Sequence, residues 1–254
     1  MARVPVSKPR AGLKQVVAIL PTLNEAKNLP LLVPRILEHD GVRLLIVDDR
    51  STDGTGSVAE DLARQFLGRI DIIHRTGPRG LGLSYREAFP KAAATNPDVI
   101  CQMDADLSHD PKFLPAMIAA TEHYDVVIGS RYAEGAGLVN WPSYRAWLSL
   151  AANAYVRTVT GLRARDCTSG YRCWRRTAIK RVRWANVGAE GFAFLVETLC
   201  EANQAGCAIG EVPVVFVGRQ HGSSKLTTRV FRESLIVPWR VLMRGRRSKT
   251  QERP

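Results

Sequence analysis

The chain has 254 residues, enough for one large α/β domain with a sizeable core. Hydrophobic residues make up 45% of it, which argues against global disorder, yet no apolar run of about 18 residues is present to cross a bilayer as a helix. Lys and Arg outnumber Asp and Glu by 36 to 24, a net charge of +12 that fits an anionic partner: nucleic acid, an acidic membrane or a phosphorylated substrate.

The N-terminal stretch "MARVPVSKPRAGLK" carries four Lys/Arg and no acid, and contains no apolar segment of signal-peptide length. From there, short Val- and Ile-rich runs alternate with helical patterns. "VVAIL" (residues 16–20), "LLIVD" (44–48), "IDIIH" (70–74), "DVICQMD" (98–104) and "DVVIGS" (125–130) read as strands covered on both faces. Helices are expected between them, near 26–38, 56–67, 83–95 and 111–122. This alternation predicts a mostly parallel sheet with helices on both sides, whose ligands bind beyond the carboxyl ends of the strands. The second half is less regular. Helices are expected near 143–160 and 192–205, with a strand at "GEVPVVFV" (210–217). Residues 227–249 read as an amphipathic helix interrupted by Pro238. The basic surplus returns here, with six Lys/Arg and one acid over residues 240–254. The expected organisation is one domain over residues 1–226 and a basic amphipathic helix and tail over 227–254. Five cysteines, an odd number without zinc-type CxxC spacing, read as reduced thiols of a cytoplasmic protein.

Polar motifs collect at the predicted strand ends. "QMDADLSHDP" (102–111) puts Asp104 and Asp106 one residue apart after an apolar run. In an extended segment residues i and i+2 point the same way, about 7 Å apart, so both carboxylates reach one divalent cation. Mg2+ and Mn2+ favour such oxygen ligands, and Mg2+ completes its shell with water and substrate phosphates. The other reading is a capping loop, with Ser108 or Asp110 closing the helix that Pro111 begins; it leaves Asp104 and Asp106 unexplained. "DDRSTDGT" (48–55) allows either Asp49 accepting hydrogen bonds from a nucleoside or ordinary turn chemistry with Thr55 as a helix cap. "RTGPRGLGLSYREAF" (75–89) is glycine-rich before a helix, as phosphate cradles are, but matches neither GxGxxG nor the Walker pattern. "GSRY" (129–132) and "GRQHGSSKL" (218–226) bring Arg131, Arg219 and Lys225, cations able to balance a diphosphate leaving group or to be merely solvated.

In this order, "PTLNE", "VDDRSTDGT", "MDADLSHDP", "GSRY", "SGYR" and "RQHGSSKL" resemble the family 2 glycosyltransferases, and more narrowly the dolichyl- and polyprenyl-phosphate mannose synthases, over about residues 16–226. The resemblance implies a GT-A (Rossmann-like) α/β fold, a divalent metal (Mg2+ or Mn2+) and a nucleotide-sugar donor, usually GDP-mannose. By motif position it implies nucleoside contacts from Pro21, Glu25, Val47 and Asp49. It gives metal and diphosphate to Asp104 and Asp106 with Ala105 between them, and substrate phosphates to Arg131, Arg219 and Lys225. It also implies a polyprenyl phosphate acceptor. Leu23 stands where this family often has Tyr, which removes an aromatic contact near the base.

A polyprenyl monophosphate is mostly dianionic at neutral pH, with a second pKa near 6, so no catalytic base is needed to activate it. The acceptor's apolar tail implies work at a membrane surface. Phe231, Leu235, Trp239, Leu242 and Met243 are the expected apolar contacts of the C-terminal helix, with either a bilayer, the domain or a second subunit. A separate membrane-anchoring subunit is a further expected partner. Rival readings are a glucosyltransferase using UDP-glucose, a nucleotidyltransferase, and a nucleic-acid-binding module. The last would interleave basic and aromatic residues on one face, whereas the charge lies at the tails and on site loops, so nucleic acid is not an expected partner.

Overall fold

The computed structural model describes residues 14–218 and 228–251, with side chains of the last helix described from 232 to 244. Strand β1 (Val16–Thr22) leads to α1 (Leu29–Leu37), β2 (Val42–Asp48), α2 (Thr55–Gln65), β3 (Ile70–His74), α3 (Leu81–Ala94) and β4 (Val99–Gln102). After α4 (Leu114–Ala120) come β5 (Val126–Ser130), β6 (Gly137–Val139), α5 (Ser143–Thr160), β7 (Arg172–Arg175) and α6 (Arg176–Arg181). The chain ends with α7 (Ala193–Gln204), β8 (Ile209–Pro213), β9 (Val215–Val217) and α8 (Thr228–Gln251).

Among the described residues, seven strands form one sheet in the order β3-β2-β1-β4-β7-β5-β8, and β6 and β9 pair separately. β1, β2, β3 and β4 are parallel, and β5 pairs β8 in parallel; β7 runs antiparallel between β4 and β5. The period-two rule divides each strand between two cores. Val17, Ile19, Leu45 and Val47 face one side, with α3, α7 and two residues of α8. Val16, Ala18, Leu20, Leu44 and Ile46 face the other, with α1, α2 and α4. Successive connections run one way from β1 to β3 and the other way to β4. The crevice between the carboxyl ends of β1 and β4 is therefore the switch point at which sheets of this kind bind ligands.

Three local expectations need correction. The fourth strand stops at Gln102, so Asp104 and Asp106 lie on a bend, and strand alternation does not set their directions. The single strand expected over 210–217 is two, in separate sheets, divided at Val214. The last helix continues through Pro238 because its inward residues on either side, Val237 and Val241, are fixed in the core. This extension is docked against α5 and α7.

Candidate active site

The rim of the crevice is a set of loops tied to one another. Asn24, with φ near 59°, turns the β1 loop so that its side-chain oxygen accepts the Thr52 N–H at 2.9 Å. In return Ser51 Oγ accepts the Asn24 N–H at 2.9 Å, Thr55 Oγ1 that of Glu25 at 2.8 Å, and Asp53 that of Ala26 at 3.1 Å. Asp53 also accepts from the Thr55 N–H at 3.0 Å; the residue before α2 is Gly54, and Thr55 is the first residue of the helix rather than its cap. Glu25 is buried and accepts from Asn28 Nδ2 at 2.6 Å. Pro21 and Val47 face each other across the β1–β2 pair; Pro21 is partly exposed, whereas the Val47 side chain lies wholly in the core.

Asp49 is buried and committed on both oxygens. One accepts from the buried guanidinium of Arg75, and the other accepts the Gly80 N–H at 2.8 Å. Arg75 also donates to Pro78 O at 3.1 Å and pairs with Glu87 at 3.2 Å. The glycine-rich stretch is thus held by Asp49. Gly82 gives its N–H to Glu190 O at 2.8 Å, so neither amide is available as a phosphate cradle.

The two aspartates occupy the bend after β4. Asp106 is buried, its Oδ1 accepting the Ser108 N–H at 3.1 Å and the Ser108 hydroxyl at 2.5 Å, while Leu107 takes φ near 65°. This closes the turn and holds Ala105 inside. Asp104 keeps about a third of its side chain exposed. Its N–H goes to His109 Nδ1 at 2.9 Å, so Nε2 carries the ring proton and lies 3.9 Å from the Asp104 carboxylate. His109 is buried, stacked on Tyr171 at 4.9 Å between ring centroids. Beneath the bend, burial and then the Asp104 charge push the Tyr85 phenol well above its usual pKa. Asp110 caps the turn at Pro111 by accepting the Lys112 N–H.

Among the described residues no group of three or more acidic, His or Cys side chains could hold a metal. Two carboxylates on one bend, that of Asp104 solvent-reaching, suit an ion that brings its remaining oxygen ligands with it, as Mg2+ and Mn2+ do with phosphates and water. They do not suit a permanently caged one. Asp104 and Asp106 therefore fit a donor-associated divalent ion.

Arg131, at the end of β5, is held more tightly than a solvated cation. It forms a bidentate pair with Asp166, both contacts at 2.7 Å, and donates to Thr168 Oγ1 at 2.7 Å. Tyr132, Trp141 and Phe216 surround its guanidinium at 5.4, 5.4 and 5.6 Å. Burial works against charge on both members, but the mutual hydrogen bonds and attraction prevail: Arg131 is raised and Asp166 lowered from their ordinary values. Asn153 joins from α5, donating to Thr168 Oγ1 at 3.1 Å. β9 brings Phe216 against His109 and carries the chain to Gly218, whose N–H donates to Val139 O at 2.8 Å. Arg219 and Lys225 lie outside the described residues, as does the Phe231 side chain.

The rim therefore brings together Pro21, Glu25, Asp49, Asp104, Ala105 and Asp106 around one crevice, with Arg131 joined to it through Phe216 and His109. Sequence reasoning missed Arg75, His109, Asp166 and Thr168. Asp166 was within view in "RDCTSGYR", a lone acid among arginines, but nothing local ties it to Arg131.

A mostly parallel α/β sheet flanked by helices, with an acidic bend at its switch point, is a fold of the GT-A type. Residues 17–183 match the family described as Glycosyl transferase family 2, and the chain belongs to that family of sugar-transferring enzymes. It is 37% identical over 239 residues to the polyprenol monophosphomannose synthase of Mycolicibacterium smegmatis, covering 92% of this chain and 89% of the relative. It is 36% identical to the undecaprenyl-phosphate mannosyltransferase of Micrococcus luteus, covering 87% and 91%. Among solved structures, glucosyl-3-phosphoglycerate synthase of Mycobacterium tuberculosis superposes with a TM-score of 0.63 at 21% identity, covering 92% of this chain and 81% of that one. A mannosyltransferase of Pyrobaculum calidifontis with GDP-mannose and Mn2+ gives 0.57 at 15%, covering 98% and 79%. At those identities the likeness is one of fold.

Proposed function

We propose that this enzyme transfers mannose from GDP-mannose to a polyprenyl monophosphate with inversion, giving polyprenyl phosphomannose. The observation that carries the reading is the Asp104–Ala105–Asp106 bend at the β1–β4 crevice; the names of the two relatives above 35% identity supply the sugar and the acceptor class. The loops clasped around Asn24, Thr52 and Asp53 form the nucleoside end, with Pro21, Glu25 and Asp49 on its wall. A divalent ion held by Asp104 and Asp106 supplies Lewis-acid stabilisation of the departing diphosphate.

The remaining task is to bring two anions together, and this falls to cations of the chain. Arg131 keeps its orientation through Asp166 and Thr168, with its guanidinium over the Trp141 ring. In this reading Arg131, Arg219 and Lys225 take the phosphates of donor or acceptor. The phosphate nucleophile arrives ionised, and so no side chain is assigned as general base. Leu23, where this family often has Tyr, keeps UDP-glucose as the competing donor. Work on a lipid acceptor implies peripheral attachment at the cytoplasmic face of a membrane; no helix among the described residues is long and apolar enough to cross one.

The test is incubation with a panel of nucleotide sugars, Mg2+ or Mn2+, and a short polyprenyl phosphate, read by product mass. GDP-mannose is expected to give the phosphomannosyl product. Asp104→Ala is expected to lower turnover by about a hundredfold or more without loss of fold by circular dichroism. Turnover with UDP-glucose alone would replace the sugar, and full activity of Asp104→Ala would remove the metal assignment.

A further inference from the structure

Outside the acidic crevice, a cavity of about 460 Å³ opens between α5 and the loop that leads to Asp166. Its volume falls within the range of small-molecule sites, roughly 300–1,000 Å³. Leu150, Ala154 and Tyr132 contribute to its lining, together with three arginines: Arg157 on the last turn of α5, and Arg163 and Arg165 on the loop. Among the described residues none of these three guanidinium groups is paired with a carboxylate, in contrast to Arg131 nearby in the fold. Glu211, reaching the loop from β8, accepts the backbone N–H groups of Arg165 and Asp166 at 2.8 and 3.0 Å, and the loop's own carboxylate, Asp166, is paired with Arg131. That contact fixes the loop to β8 through its backbone, so the Arg163 and Arg165 guanidinium groups are not the donors to Glu211. The Tyr132 hydroxyl is buried and has no hydrogen-bond partner among the described residues.

The surface beside this pocket is apolar where a water-facing helix would be polar. α5 exposes Tyr144, Trp147 and Leu148 next to Leu150, with Trp147 at 73%. α8 packs beside α5, the Tyr155 hydroxyl donating to Leu235 O at 2.6 Å, and adds exposed Ile236, Trp239 and Met243. Aromatic side chains beside arginines are the composition of a bilayer's headgroup level, where Trp and Tyr span the polar and apolar zones.

We infer that the Arg157–Arg163–Arg165 pocket is a phosphate-binding site that seats the headgroup of an anionic phospholipid, with the acyl chains against the exposed faces of α5 and α8. Three guanidinium groups match the phosphodiester oxygens by charge-assisted hydrogen bonds. The apolar rim matches the lipid's glycerol and chains. Through Tyr132, whose ring also covers Arg131, the pocket adjoins the transfer site. An anionic bilayer would then hold the enzyme with that site at its surface. The inference rests on the proposal that the protein works at a membrane, but concerns bulk lipid rather than the acceptor.

The experiment is vesicle co-sedimentation of the full chain, with neither donor nor acceptor present, so its outcome is independent of sugar transfer. Phosphatidylcholine vesicles with phosphatidylglycerol are compared with phosphatidylcholine alone. The variant Arg157→Gln/Arg163→Gln/Arg165→Gln is expected to bind the anionic vesicles at least about tenfold more weakly. The control Arg64→Gln/Arg86→Gln/Lys91→Gln removes the same charge from exposed positions of α2 and α3 and is expected to lose much less. Equal losses in the two variants would overturn the site in favour of bulk charge, and unchanged binding in the first would overturn it outright. Thermal stabilisation of the wild type by inorganic phosphate, abolished in the first variant without any change in vesicle binding, would overturn the lipid assignment in favour of a soluble phosphate.

Discussion

Arg131 and Asp166 bring opposite charges into surroundings that exclude most water, and each depends on the other. Asp166 is fully buried, and its depressed pKa arises because the Arg131 contacts outweigh the cost of burial. Asp166→Asn removes the charge that compensates Arg131 and is expected to cost about 3–5 kcal/mol, measured by denaturant unfolding. Because the folded pKa lies below the unfolded one, the carboxylate's contribution is fully present above the ordinary value of 3.8 and is lost as pH falls through the depressed folded value. The stability gap between wild type and Asp166→Asn is therefore expected to stay constant from neutral pH down toward 4, and to narrow only in stronger acid. A gap that closes between pH 7 and 5 would show that another group is responsible. Gly82 makes a different point. In an exposed helix Gly→Ala gains about 1 kcal/mol, but a Cβ at Gly82 would stand 2.2 Å from the backbone oxygen of Ala189. Gly82→Ala is expected to lower the melting temperature, and an unchanged or raised value would refute that close approach.

At the scale of elements, α8 has two chemically distinct faces. Val237 and Val241 are inserted in the core, Glu233 accepts the N–H groups of Glu190 and Gly191 at 2.9 and 3.0 Å, and Arg244 reaches Glu197 at 3.2 Å. Leu235, Ile236, Trp239 and Met243 face outward. Sequence reasoning left packing on the domain and contact with a bilayer as alternatives; the inward face packs, and the outward face remains available for the proposed membrane contact. Val237→Ala is expected to destabilise by about 1.5–3 kcal/mol. Trp239→Ala is expected to change stability by less than about 0.5 kcal/mol while weakening vesicle binding. Unfolding curves and co-sedimentation on the same two variants check the division. The alternation of strands and helices in the first half was legible because each strand is buried on both faces and each helix has an apolar stripe. β7 was not. "RCWR" is four residues long with a charge at each end, and its Arg172 is wholly buried, donating to Leu195 O at 2.5 Å and Cys167 O at 2.8 Å. Burial presses that guanidinium down to about 10, a condition no local pattern announces.

At the scale of the molecule, the order of elements sets where ligands go. The reversal of connection direction between β1 and β4 opens the crevice, and the motifs after β1, β2 and β4 all reach its rim because parallel strands end on the same side. The five cysteines are buried free thiols, and Cys101 and Cys173 face each other across β4 and β7. By itself the sequence determined the alternating α/β pattern, the Asp104–Asp106 pair after β4 and the motif order of the family, since these are written in neighbouring residues and in period-two and helical repeats. Only the tertiary structure decided that β7 enters between β4 and β5, that Asp49 is held by Arg75 and Arg131 by Asp166, and that α8 docks while leaving an apolar face exposed. Those outcomes depend on groups 26, 35 and more residues apart, whose meeting follows from sheet order and burial rather than from any local preference.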